Sequence, residues 1–166
     1  VTSEPFAVEK RAGFKPTVIL LADAGFNPYS TLIETRRDLV EHKQDLVQRF
    51  VDASIVGWYT YLYGDNTAGN AMIKKLNPEM TDDLLAYSVA KMKEYGIVDS
   101  GDSLRDGIGA MSDARYANFF DKMVRAGVVR RDIDFRKAYT LQFVNKGVGL
   151  DLRPENLRPK SSPIKK

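Results

Sequence analysis

The sequence of 166 residues contains no cysteine and only one histidine. Without cysteine the chain has no disulfide bond, no thiolate nucleophile and no cysteine-ligated metal. The histidine, His42, lies between Glu41 and Lys43 on the outer side of a predicted helix, where we expect a solvated side chain rather than a base or a metal ligand. The sequence does not place a candidate nucleophile beside a candidate general base. We therefore predict a protein that is not an enzyme, with no catalytic residue, no metal ligand and no cofactor.

Long apolar runs and a large excess of charge are also missing. No stretch approaches the roughly 18 apolar residues of a membrane-spanning helix. The net charge of +3 comes from residues 151–166, which carry five basic and two acidic side chains, because residues 1–150 contain 20 of each sign. A neutral body does not favour nucleic acid as a partner. Three prolines and scattered charges predict that residues 151–166 are a disordered basic tail.

Apolar spacing predicts one buried strand and a series of helices. Residues 17–22 form a continuous apolar run of the length of a parallel strand, and residues 30–34 are a weaker strand prediction. Apolar residues at three- and four-residue spacing predict helices over 38–63, 65–76, 82–95 and 113–126. The inward side chains of the first and last of these helices are expected to include Leu46, Phe50, Trp58, Tyr116, Phe119, Phe120 and Met123.

Polar residues follow the predicted strand at the positions where ligands bind to open α/β sheets. Asp23, Tyr29 and Ser30 follow the strand predicted over 17–22, and the carboxyl ends of strands line the ligand crevice. Tyr29 can stack on a flat ligand or bind it through the phenol hydroxyl. The alternative is turn formation, since Asn27-Pro28 and Ser30 are turn residues whatever the protein binds.

Residues 20–62 carry a resemblance to a known family. They read LLADAGFNPYSTLIETRRDLVEHKQDLVQRFVDASIVGWYTYL, with Thr2-Ser3-Glu4-Pro5-Phe6 upstream. This pattern resembles the solute-binding proteins of ABC transporters, in the branch for nitrate, sulfonates, taurine and thiamine pyrimidines. The resemblance runs from residue 1 to about residue 147. It lies in the pattern of whole segments and includes no invariant catalytic signature.

The resemblance implies an α/β fold that is part of a two-lobe type II periplasmic-binding-protein fold, mostly helical in this stretch. Residues 1–29 would be the end of the second lobe and the hinge, and residues 30–150 the carboxyl-terminal part of the first lobe. The chain would then be the carboxyl-terminal half of a longer protein. Such a protein is periplasmic or lipid-anchored outside the cytoplasmic membrane. It captures a small planar or anionic solute between its lobes and delivers it to an ABC permease in the membrane.

The resemblance also places the segment around Glu4 at the wall of the ligand cleft. A carboxylate there can accept two parallel hydrogen bonds from the edge of an aminopyrimidine. The hydroxyl groups of Thr2 and Ser3 suit a sulfonate or a carboxylate instead. We favour a thiamine-type pyrimidine because of Glu4 and keep a sulfonate or nitrate-like anion as the alternative. The expected ligand-binding residues are Thr2, Ser3, Glu4, Asp23, Tyr29 and Ser30; a solvent-exposed loop glutamate is the other interpretation of Glu4.

An enzyme remains the alternative function. Pyrimidine-precursor synthases share the fold that the resemblance implies and would look alike over the predicted helices. They use a histidine and a cysteine-rich motif, whereas this chain offers only His42 and no cysteine.

Overall fold

The computed structural model describes residues 1–158, and these residues contain helices and no β-strand. The expected α/β class, and with it the two-lobe type II fold, is therefore wrong for the described chain, which is a helical protein. Residues 17–22 are an extended stretch that leads into a turn, and the side chains of Ile19 and Leu21 are 84% and 66% exposed. A strand needs a partner for its backbone groups. Within residues 1–158, the amide groups of residues 14–22 donate no hydrogen bond.

Residues 1–158 form seven α-helices and three short 3-10 helices. The α-helices are α1 (Glu4–Ala12), α2 (Arg37–His42), α3 (Gln44–Tyr63), α4 (Thr67–Leu76), α5 (Asp82–Glu94), α6 (Ser103–Asp106) and α7 (Asp113–Arg125). The 3-10 helices are η1 (Phe135–Ala138), η2 (Leu150–Leu152) and η3 (Glu155–Leu157). No helix among residues 1–158 is long and apolar enough to cross a lipid bilayer.

The four predicted helices are confirmed, with one break, and the structure adds α1 and α6. Thr81 and Ser112 cap α5 and α7 by accepting hydrogen bonds from the amides of Leu84 (3.3 Å) and Arg115 (3.4 Å). These bonds satisfy amides that have no partner within a helix. The helix predicted over 38–63 is divided at Lys43 into α2 and α3. The added helix α1 has a proline in its first turn and is followed by Gly13, whose φ is +73°.

The main core is built on one face of α3. Val47, Val51, Ile55, Tyr59 and Leu62 are buried at spacings of three and four residues, together with Ile108 and Phe143. This spacing places the five side chains of α3 on one stripe. Partly buried side chains of α2 and α5 pack around the stripe, among them Leu39, Val40 and Met92. The core therefore joins residues that are almost 100 positions apart in the chain.

The predicted facing of α3 is wrong for three side chains. Leu46, Phe50 and Trp58 are exposed, and Phe50 has 61% of its surface open to solvent. Each of Leu46 and Phe50 precedes a buried valine by one residue, and one residue turns a helix by about 100°. The helix thus has two apolar stripes. Periodicity alone does not say which of them faces the core.

The predicted inner face of α7 packs outside the main core. Phe120 stacks on Phe135 with 4.6 Å between ring centroids, and Tyr116 stacks on Tyr139 at 3.7 Å. Phe119 makes an edge contact with Phe26 at 6.0 Å. These rings are only partly buried.

The predicted disordered tail differs from the structure where the structure describes it. Residues 151–158 include the end of η2 and all of η3, and Arg153 between the two is 1% exposed. Order in this segment comes from the bonds of Arg153 to the core, which are described below. Residues 159–166 of the predicted tail lie outside the described residues.

Ile55 and Phe50 test the facing of α3. Ile55→Ala removes a side chain that is 7% exposed in the main core, so we expect it to lower the free energy of unfolding by about 2 to 5 kcal/mol. Phe50→Ala, one turn away on the exposed stripe, should cost less than about 1 kcal/mol. Urea unfolding followed by circular dichroism measures both. A larger cost for Phe50→Ala would show that α3 faces the other way.

Candidate functional site

The six expected ligand residues lie in two separate places. Thr2, Ser3 and Glu4 are at the start of α1, which packs on α5. Tyr29 contacts the start of α7, and Ser30 follows it in the chain. Asp23 lies in an exposed turn, residues 21–25. Within residues 1–158, no hydrogen bond or ion pair joins the α1 group to Asp23, Tyr29 or Ser30.

A cleft of about 390 Å³ opens between α1 and residues 16–20. This cleft is shallow and largely open to solvent. The lining residues are Val1, Glu4, Pro5, Val8, Pro16, Thr17, Val18, Ile19 and Leu20. The walls are thus mostly apolar, and the side chains of Glu4 and Thr17 supply the polar groups. We call this space the α1 cleft.

Glu4 is an ionised carboxylate at the mouth of the α1 cleft. Its side chain is 76% exposed. Its pKa is lowered, first by a hydrogen bond from its own backbone amide and further by the Ser3 hydroxyl. The carboxylate is therefore charged at any physiological pH. Its exposure leaves it able to accept a hydrogen bond from another donor.

The start of α1 is fixed to α5. The carbonyl oxygen of Thr2 accepts a hydrogen bond of 2.7 Å from the hydroxyl of Ser88, which is a buried residue. One turn later, Phe6 packs on Tyr87 with 5.2 Å between ring centroids. These contacts hold one wall of the α1 cleft in place. Thr2 therefore acts through its backbone carbonyl, in addition to any role of its hydroxyl.

Tyr29 uses both of its binding groups inside the protein. Its hydroxyl accepts a hydrogen bond of 2.8 Å from the backbone amide of Ser112. The guanidinium of Arg115 lies over the ring at 4.2 Å from the centroid, and the ring of Tyr116 is 5.2 Å away. The Tyr29 hydroxyl thus satisfies one of the free amides at the start of α7. This geometry gives Tyr29 a packing role.

Asp23 and Ser30 are exposed. Asp23 belongs to the turn that closes with a hydrogen bond of 3.1 Å from its own amide to the carbonyl of Leu20. Ser30 lies 3.5 Å from the hydroxyl of Thr31. Of the six expected residues, Glu4 alone lines a cleft.

The strongest polar arrangement in the described chain is one that the sequence interpretation missed. Arg153 and Asp99 form an ion pair with side chains that are 1% and 2% exposed. The guanidinium donates to both carboxylate oxygens, at 2.8 and 2.6 Å, in the bidentate geometry that arginine favours. A buried arginine needs such a partner because removing a charge from water costs several kcal/mol.

Further hydrogen bonds complete the pair. Asp99 also accepts bonds from the hydroxyls of Tyr63 (2.9 Å) and Ser103 (2.8 Å). Arg153 donates to the carbonyls of Ser103 and Leu104 and to the hydroxyl of Tyr59. Among residues 1–158 no buried side-chain nitrogen or oxygen lacks a partner. The pair therefore connects η2, α6 and the main core through a fully satisfied network.

The network shifts the pKa values of its members. Burial alone raises the pKa of Asp99, but the hydrogen bonds from Arg153, Ser103 and Tyr63 and the Arg153 charge outweigh it and bring the pKa below the ordinary 3.8. Burial, followed by the bond to Asp99, raises the pKa of Tyr63 to about 12. Both shifts stabilise the protonation states that hold the network together. None of these groups is positioned for proton exchange near neutral pH.

An open pocket of about 330 Å³ lies beside the ion pair. Leu104, Arg105, Leu150, Arg153 and Arg158 line it. Asp99 neutralises Arg153, and Asp106 binds Arg105 at 2.8 and 2.6 Å. The third arginine of the lining, Arg158, donates to the carbonyl oxygens of Arg153 and Asp151, so it is held by the backbone and keeps its positive charge. The pocket is best explained as the edge of a structural network.

No protein-family model, curated protein or solved structure matches the chain. In residues 1–158 no group of three or more histidine, aspartate or glutamate side chains is placed to hold a metal ion.

Removing Arg153 should be far more costly than removing a surface arginine. Arg153→Met leaves Asp99 buried without its partner, so we expect the free energy of unfolding to fall by about 3 to 5 kcal/mol. Arg49→Met, in an exposed pair with Asp45 on α3, is the matched control and should leave stability unchanged. Urea unfolding measures the free energy of unfolding of both variants. Equal stability of both variants would contradict the burial of Arg153.

Low pH should destabilise the same hydrogen-bond network around Asp99. Because the pKa of Asp99 is lower in the folded chain than in the unfolded chain, its stabilising contribution is present above pH 3.8 and is lost as the pH falls through the folded-state value. The free energy of unfolding should therefore decrease below about pH 4. The double variant Asp99→Leu/Arg153→Met should show a weaker decrease. If the free energy of unfolding depended on pH identically in the parent and in the double variant, the lowered pKa of Asp99 would be contradicted.

Proposed function

We propose that the chain is the substrate-binding component of an ABC importer and that it binds a thiamine-type pyrimidine in the α1 cleft. The observation that carries the proposal is the position of Glu4. It is the residue that the sequence marked for an aminopyrimidine, and it lines an apolar cleft. Delivery to an ABC permease, and a periplasmic or lipid-anchored location, rest on the resemblance of residues 20–62.

The chemistry of the α1 cleft suits a flat ring with one polar edge. An aminopyrimidine that is protonated at the ring nitrogen next to its amino group presents two parallel N–H donors. The ionised carboxylate of Glu4 can accept both, and such charge-assisted pairs are stronger than neutral hydrogen bonds. The side chains of Pro5, Val8 and Val18 offer apolar contact to the faces of the ring. One charged group and apolar walls are the usual composition of a small-molecule site.

The same lining disfavours an anion. Glu4 would repel a sulfonate or a nitrate, and the residues that line the cleft include no lysine or arginine. The cleft therefore supports the pyrimidine over the sulfonate alternative.

Glu4→Gln tests the site. The change removes the negative charge and replaces one acceptor oxygen with a donor, so affinity for 4-aminopyrimidine should fall roughly 10- to 100-fold. Glu9→Gln, on an exposed position of the same helix outside the cleft lining, should bind as the unchanged chain does. Isothermal calorimetry on the protein expressed from its complete gene measures both variants, with taurine as the anionic comparison.

Three results would count against the proposal. Tight binding of taurine that Glu4→Gln leaves unchanged would show that Glu4 is not part of the site and that the ligand is not a pyrimidine. Turnover of the pyrimidine in the calorimeter cell would favour a synthase over a receptor. Genes for a permease and an ATPase next to this gene would support import, and genes for pyrimidine metabolism without a transporter would contradict it.

A further inference from the structure

A loop rich in basic residues follows α7. We call residues 125–137 the basic loop; they contain four arginines, one lysine and two aspartates, which gives a net charge of +3. Residues 1–150 carry 20 charges of each sign, so the rest of that stretch has 15 basic and 18 acidic residues. The neutral total therefore conceals a local excess of positive charge. The five basic side chains of the loop are all exposed: Arg125, Arg130, Arg131, Arg136 and Lys137.

Neighbouring carboxylates neutralise only part of this charge. Among residues 1–158, the ion pairs of the basic loop are those of Arg130 with Asp132 at 3.2 Å and of Lys137 with Asp134 at 3.5 Å. Both pairs are exposed, so the attraction within each is weak and either cation can bind another anion. The other three arginines of the loop form no ion pair with these residues. The basic loop therefore presents several guanidinium groups to the solvent.

The basic loop is held at the carboxyl-terminal end of α7. The carbonyl oxygen of Met123 accepts hydrogen bonds from the amides of Val128 (2.9 Å) and Val129 (3.3 Å), which turn the chain back after the helix. Further along the chain, Phe135 stacks on Phe120 with 4.6 Å between ring centroids. The two points of attachment are three residues apart on α7, which is about 4.5 Å along the helix axis. The residues between them are thereby confined to this end of the helix.

Two apolar side chains are exposed among these charges. Val128 is 64% exposed and Ile133 is 45% exposed. They lie on either side of Arg130 and Arg131 in the chain, and a hydrogen bond of 3.4 Å from the amide of Ile133 to the carbonyl of Arg130 closes a turn there. A single exposed apolar residue is ordinary. Two of them within a basic loop have the composition of segments that bind lipid interfaces, where apolar groups enter the acyl boundary and basic groups stay among the phosphates.

We propose that the basic loop binds the surface of an anionic phospholipid bilayer. The guanidinium groups pair with lipid phosphates through charge-assisted hydrogen bonds. Val128 and Ile133 enter the boundary between the headgroups and the acyl chains. The phosphates of a nucleic acid offer the same negative charge but would leave these two side chains in water, so a lipid surface is the partner that accounts for both features. The proposal goes beyond the proposed function, because the α1 cleft takes no part in it.

Sedimentation of the purified protein with lipid vesicles tests the proposal. We expect binding to vesicles of phosphatidylcholine mixed with phosphatidylglycerol, no binding to phosphatidylcholine alone, and release as the salt concentration rises. Arg130→Gln/Arg131→Gln should weaken binding to the anionic vesicles roughly 10- to 30-fold, since each basic residue near such a surface contributes about 5-fold. The matched control is Arg36→Gln/Arg37→Gln, at the start of α2. This pair is also exposed, and its first arginine likewise pairs with an aspartate two residues further on, so the control should bind as the parent does.

A second variant distinguishes a lipid surface from other polyanions. Val128→Ser/Ile133→Ser keeps every charge and removes the apolar groups, so it should weaken binding to the anionic vesicles several-fold. Leu76→Ser, at a position that is 77% exposed at the end of α4, should leave binding unchanged. Circular dichroism checks that each variant keeps its helix content. Binding that Val128→Ser/Ile133→Ser leaves unchanged would overturn the lipid assignment in favour of a nucleic acid or an acidic protein.

The remaining outcomes decide the proposal independently of the α1 cleft. Absence of binding to the anionic vesicles at low salt would overturn the proposal, and so would equal binding to phosphatidylcholine alone. An arginine variant that binds as well as its control would show that the basic loop is not the binding surface. Failure to bind 4-aminopyrimidine in calorimetry would overturn the proposed function and leave lipid binding standing.

Discussion

The ion pair of Arg153 with Asp99 is the interaction on which the main core depends. It lies at the point where η2, α6 and α3 meet, and it is surrounded by hydroxyls and carbonyls that satisfy its remaining groups. Tyr59 is 1% exposed because its ring is enclosed by this network and its hydroxyl accepts the amide of Ile108 at 3.2 Å. A buried pair of charges is weak evidence of net stability, but its geometry specifies one arrangement of the chain. The carboxyl-terminal segment is thereby made part of the fold.

The order around this pair contrasts with the amino-terminal quarter of the chain. Residues 14–22 have the composition of a strand and no strand partner, so apolar side chains stay exposed and amides stay free of backbone bonds. Residues 25–29, by comparison, are tightly placed on α7. The α1 cleft lies between a fixed helix and this loosely held stretch. The two sides of the cleft therefore differ in how many contacts hold them to the rest of the described chain.

Much of the helical structure could be predicted from the sequence, because capping residues and apolar spacing act locally. Thr81, Ser112 and the glycines after α5 and α7 define helix ends through their own hydrogen bonds and backbone angles. The strand at 17–22 could not be decided locally, since a strand exists only when other strands pair with it. The predicted facing of α3 was partly wrong for a similar reason. Both of its stripes are apolar, and only contacts with the rest of the chain decide which one is buried.

The candidate site was predictable in part. Glu4 was singled out because the resemblance placed its segment at the wall of a cleft, and in the structure it does line one. Tyr29 has the right chemistry for a ligand, yet its hydroxyl and ring are used by α7, which lies more than 80 positions away in the sequence. Arg153 was hidden among the charges of a segment that looked disordered. Its partner, Asp99, is 54 residues distant, and sequence spacing does not reveal such a pair.

The central claim is that the solute binds between α1 and residues 16–20. A titration of the isotopically labelled chain with 4-aminopyrimidine, followed by amide chemical shifts in solution, tests it most directly. The account predicts saturable shifts at Glu4, Val8 and residues 17–20, with much smaller shifts around Arg153. Shifts centred on Tyr29 and Ser30, or no shifts at saturating ligand, would contradict it.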